Sequence, residues 1–245
     1  MYKFEICANS VESCVEAQRG GANRVELCAG IPEGGTTPSY GDIVLARKVL
    51  DTTKLHVIIR PRGGDFLYSD LEREIMLEDV RMARRLGVDG VVFGVLTVDG
   101  DVDMDFMRQL MAESEGMSVT FHRAFDVCRD PFVALEQIIE LGCDRILTSG
   151  QMPKAEEGVD LLKQLVEKAG DRIIIMSGCG VNAGNIALIA QATGAKEFHF
   201  SARSKRESGM QFRKFRVSMG GAVMIDEYSR DVTDVNIVKE TINSL

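Results

Sequence analysis

Short runs rich in β-branched and aromatic residues recur eight times along the chain, at "YKFEIC", "RVELC", "LHVIIR", "DGVVFG", "SVTFHR", "RILTSG", "RIIIMSG" and "EFHFSA". Segments with helical periodicity separate them, near 10–19, 39–50, 70–86, 103–114, 131–141, 154–169, 182–193 and 233–244. The repeat of about 31 residues is what a βα unit needs. In "GGANRVEL", "LGVDGVVF", "LGCDRILT" and "TGAKEFHF" a glycine ends a helix just before a strand begins. Eight such units in 245 residues predict one closed (β/α)8, or TIM, barrel spanning 1–245 as a single domain. An open doubly wound sheet is the alternative. The rhythm breaks once, at residues 201–232, a long connection between the eighth strand and the last helix that is expected to fold over the barrel mouth.

Alternation along barrel strands then sorts the side chains, because successive residues face the helices and the axis in turn. Phe4, Ile6, Val25 and Leu27 must face the helices, which sends Lys3, Glu5, Cys7, Arg24, Glu26 and Cys28 toward the axis. The same parity puts His56, Arg60, Thr120, His122, Glu197, His199 and Ser201 inside. Buried charges persist when paired, so Glu5, Arg24, Glu26, Arg60 and Glu197 are expected to neutralise one another. A purely structural network is one reading of the deeper members. The upper ones lie at the C-terminal strand ends, where barrels of this class carry their sites. There "IRPRGGDFLYSD" reads as a rim loop that aims Arg60 into the mouth, against the competing reading of a structural turn held by Arg62 and Asp65.

A net charge of −8 argues against a nucleic-acid partner or an anionic membrane surface, both of which need a basic face. The one basic cluster, Lys205 and Arg206 with Arg213, Lys214 and Arg216, reads as a solvated loop. Six cysteines and no apolar leader fit a reducing, cytoplasmic setting, and no apolar run is long enough to span a bilayer.

The motifs "NRVELC", "EGGTTPS", "IRPRGGDFLYSD", "VVFG", "TFHRAFD", "RILTSG", "EFHFSARS" and "EYSRDVTD" occur in this order across almost the whole chain, and in them the sequence resembles the CutC family. The resemblance implies a (β/α)8 barrel, a role in copper homeostasis, Cu(I) as the bound ion, and ligation by Cys7 in "EIC" and Cys28 in "VELC". A homo-oligomer is expected. The residues fit that expectation: neighbouring parallel strands run about 4.8 Å apart, and two soft thiolates suit Cu(I). Small buried fillers are the competing reading for both cysteines. Cys14, Cys128 and Cys143 read as core or loop residues. The chain departs from the family at "SGCGV", which has Cys179 where a glycine run is common.

A second function class stays open, an enzyme acting on a small anionic or phosphorylated metabolite. The turn at Gly178 and Gly180, feeding a helix near residue 182, could offer N–H groups to an anion, with Ser201 and Arg203 beside it and Arg60 facing it. Glu26 or His122 would then carry the proton. An interaction scaffold is a third class, with least support.

Overall fold

A computed structural model describes residues 1–220 and 225–245. Strands and helices alternate through β1 (Lys3–Ala8), α1 (Val11–Gly20), β2 (Arg24–Leu27), α2 (Tyr40–Val49), β3 (Lys54–Ile58), α3 (Asp70–Arg85), β4 (Gly90–Phe93) and α4 (Met104–Glu113). They continue through β5 (Ser118–Phe121), α5 (Pro131–Leu141), β6 (Arg145–Thr148), α6 (Val159–Ala169), β7 (Ile174–Gly178), α7 (Ile186–Thr193) and β8 (Glu197–Phe200). The eight parallel strands close into a barrel when β8 pairs with β1. A hairpin, β9 (Arg203–Glu207) with β10 (Ser229–Thr233), and α8 (Val235–Asn243) complete the chain.

Local sequence explains where the helices begin and end. Ser10, Ser39, Asp103 and Asp130 accept from backbone N–H groups as N-caps, and Ser69 forms a reciprocal capping box with Glu72. Gly21, Gly142 and Gly194 close α1, α5 and α7 in the left-handed conformation. The main core lies between sheet and helices, where Phe4, Ile6, Val25, Leu27, Phe198 and Phe200 are all buried.

The polar parity set meets inside the barrel. Arg24 donates to Glu5 and, at 2.8 Å, to Glu197, while Arg145 donates to Glu197 at 3.3 Å and to Ser118 Oγ at 2.7 Å. Arg145, at the start of β6, is the member that parity reading overlooked. Lys3 sits at the open lower end with its side chain 58% exposed, 3.9 Å from Glu197, rather than within the axis. Arg60 takes no part in this network, and Glu26 reaches it through His199.

Among the described residues of the long connection, expected to fold over the mouth, Ser201 and Arg203 line a mouth cavity and the later ones do not. The connection leaves the rim as the β9–β10 hairpin and packs beside α1, where Arg206 and Arg230 both pair with Glu12. Asn9 Nδ2 donates to the Asp231 carbonyl at 2.8 Å. Among the described residues no helix is long and apolar enough to cross a membrane.

Candidate functional site

Strand register brings the upper side chains together. Cys7 on β1 pairs with Glu26 on β2, and Glu5 with His199 on β8, so three neighbouring strands focus on one side of the mouth. Cys28, just past β2, places its Sγ 3.9 Å from Cys7 Sγ. His199 holds Glu5 Oε1 through Nδ1 at 2.8 Å and turns Nε2 toward Glu26 Oε2, 3.6 Å away. One donor atom from each of Cys7, Glu26 and His199 lies within 4.8 Å of the others. A carboxylate behind an imidazole is the arrangement that fixes the tautomer and orientation of a metal-binding histidine. Sequence parity put His199 inside, but nothing local marks it as a partner of the thiols.

The electrostatics separate the two thiols. The hydrogen bond to Cys28 lowers Cys7 well below the usual thiol range against the effect of burial, with His199 and Arg203 assisting. Arg203 Nη2 donates to Cys7 Sγ at 3.3 Å. Cys28 is raised by its hydrogen bond with Cys7 and by burial. The arrangement thus favours negative charge on Cys7 over Cys28. Burial opposes a charge on His199, but Cys7, Glu5 and Glu26 outweigh it and hold the imidazole well above its ordinary value. Burial pushes Glu26 up to about 8. By contrast, burial puts Cys14 and Cys143 at about 12 and Cys128 at about 11, as expected of inert core thiols.

The mouth holds two adjoining cavities that share Cys7 and His199. One, of about 280 Å³, is lined on its far side by Arg60, Phe66 and His122. The other, of about 370 Å³, carries Cys179, Gly180, Ser201 and Arg203. The anion pocket read from sequence is therefore divided: Arg60 faces the first cavity and the β7 and β8 loops face the second. Gly178 lines neither. A Cβ there would come within 2.4 Å of Leu147, so glycine is required for packing. Nor does a helix start at 182. Asn182 and Asn185 first fold back onto the Gly180 carbonyl, and α7 begins at Ile186. Cys179 is turned aside with φ 75°, its Sγ on the Pro153 carbonyl at 3.0 Å.

Glycines also make room for the histidines. A Cβ at Gly94 would lie 2.7 Å from His122 Nδ1, and one at Gly90 would lie 2.5 Å from His56 Nε2. Burial and nearby Arg60 push His122 down to about 3, which leaves it neutral and suited to donating rather than carrying a proton. The rim loop is tied to itself: Arg62 donates to Asp65 Oδ1 at 3.0 Å, to Glu72 at 2.6 Å and to the Leu67 carbonyl. The stretch contributes Arg60 and Phe66 to the mouth. A larger groove of about 560 Å³ at the opposite end of the barrel lies among helix C-termini and lacks any comparable cluster of donors.

The CutC family matches residues 2–204. A CutC family protein from Bacteroides fragilis is 66% identical over 244 residues, covering 100% of this chain and 97% of the relative. A human copper homeostasis protein cutC homolog is 50% identical over 244 residues, 100% of this chain and 89% of that protein. A solved CutC structure from Streptococcus agalactiae, 40% identical, superposes with a TM-score of 0.79 over 82% of this chain and 99% of its own.

Proposed function

The chain belongs to the CutC family, and from that premise we propose that it binds Cu(I) through Cys7 and Cys28 as part of copper homeostasis. Relatives carrying the copper homeostasis name support the role. The observation that carries the binding reading is the 3.9 Å between the two sulfurs, with Cys7 held well below the usual thiol range by its neighbours. Two soft-metal–thiolate bonds of roughly 2.3 Å would close over that separation at roughly 115°, an opening that leaves space for a third donor. His199 Nε2 would supply it once the incoming ion displaces its proton. Arg203 and the His199–Glu5 pair would hold the anionic sulfur and the ring in place, while thiolates suit Cu(I) by softness.

Anaerobic titration against a competing Cu(I) chelator tests this. The Cys7→Ser, Cys28→Ser double variant should lose more than the roughly 10–100-fold typical of removing a group that only orients a metal ligand. Parent-like affinity in that variant would remove the thiol pair from the proposal.

A second reading, an enzyme for a small anionic or phosphorylated metabolite, draws on one observation. Glu26 titrates near 8 inside a cavity, so it can hold or release a proton near neutrality.

A further inference from the structure

The wall opposite the thiols carries donors without acceptors. Arg60, at the end of β3, is only 5% exposed. Its Nη1 donates to the carbonyls of Glu33 and Gly35 at 2.9 and 2.8 Å, and its Nη2 to that of Gly64 at 2.8 Å. Carbonyl dipoles solvate the guanidinium but leave its charge in place, and among the described residues no carboxylate pairs with it. Its Nε–H has no partner. A buried charge without a counter-ion is a costly arrangement to retain.

His122, 4% exposed, repeats the pattern on the neighbouring wall. Its Nδ1 accepts from Ala124 N–H at 3.3 Å, so the ring proton belongs on Nε2, which is buried and unpartnered. Phe66 connects the two, lying 5.0 Å beneath the Arg60 guanidinium and with its centroid 4.9 Å from that of the imidazole.

We infer that this cavity binds a small carboxylate-bearing organic molecule, its carboxylate on Arg60 Nε and His122 Nε2 and its apolar body against Phe66, Ile58 and Leu147. Unassigned N–H groups on Arg60 and His122 with one positive charge match a planar monoanion with two oxygens. They would leave a phosphate dianion short of both donors and charge. A volume of about 280 Å³ admits only a small molecule. The inference deepens the second reading by naming its ligand class, and it does not depend on copper.

The test uses metal-free, full-length protein labelled with 15N-histidine and titrated with propionate, then separately with inorganic phosphate at matched ionic strength. Propionate should shift the His122 ring resonances saturably and phosphate should not. Arg60→Lys keeps a charge but not the Nε–H, and His122→Asn keeps a capping acceptor but not the deep donor. Each should weaken propionate binding, followed by calorimetry, by about tenfold or more. If His122 stays unmoved, or if both folded variants bind as the parent does, the inference falls. Phosphate binding that shifts amides at Gly180 and Arg203 instead would overturn it while sparing the enzyme reading. No response to either anion would remove both.

Discussion

The barrel interior has two polar layers that differ in one respect. In the lower layer Glu5, Arg24, Arg145 and Glu197 satisfy one another, with Ser118 and Thr120 taking further N–H groups of Arg145. In the upper layer Cys7 and Cys28 share a hydrogen bond, Arg60 lacks a counter-ion and His122 lacks an acceptor. Both layers are equally polar in sequence and both are buried. What separates them is closure of charge: the lower charges find partners within the barrel, although the neutral His56 Nδ1 does not, whereas the upper groups are arranged around space. Buried polarity alone is therefore not evidence of a site, but buried polarity left unsatisfied beside a cavity is.

The contrast breaks most easily in the lower layer. Arg24→Met leaves Glu5 and Glu197 buried without their shared cation and should cost about 3–5 kcal/mol of stability. Urea unfolding of this variant beside Cys7→Ser measures the difference, since the serine variant should lose much less. Equal losses would mean that the thiol layer is as structural as the ion-pair layer.

Acid titration examines one histidine from each layer. Burial lowers His56 and His122 to about 3 from an ordinary 6.5. The native state thus binds fewer protons than the unfolded chain between those values. Their contribution is present above pH 6.5 and is lost as pH falls toward 3, by up to a few kcal/mol each. His56→Gln and His122→Asn should each flatten the fall in urea midpoint over that window. A profile unchanged in both would show that neither imidazole is held neutral.

The smallest effect lies outside both layers. Glu12→Gln removes the carboxylate shared by Arg206 and Arg230 on a half-exposed surface, so stability should change by about 1 kcal/mol or less. Hydrogen exchange in β9 and β10 should rise while exchange in β1 to β8 stays constant. Faster exchange at the mouth would tie the hairpin to the site after all.

The sequence by itself determined the eightfold alternation, the helix caps, and the inward set Glu5, Cys7, Arg24, Glu26, Cys28, Arg60, His122 and His199. These are local properties: side-chain parity depends on spacings of two residues, and a cap on spacings of three. Partner choice was decided only by the tertiary structure. Glu197 meets Arg24 across 173 positions and Glu5 meets His199 across 194. Closure of β8 on β1 sets those heights, and no short-range pattern encodes the stagger. Loop backbone settled the rest. Carbonyls of the β2 and β3 loops captured Arg60, which parity alone had assigned to a carboxylate. Asn182 and Asn185 delayed α7 to Ile186, because their amides compete for the same backbone groups that would otherwise start the helix.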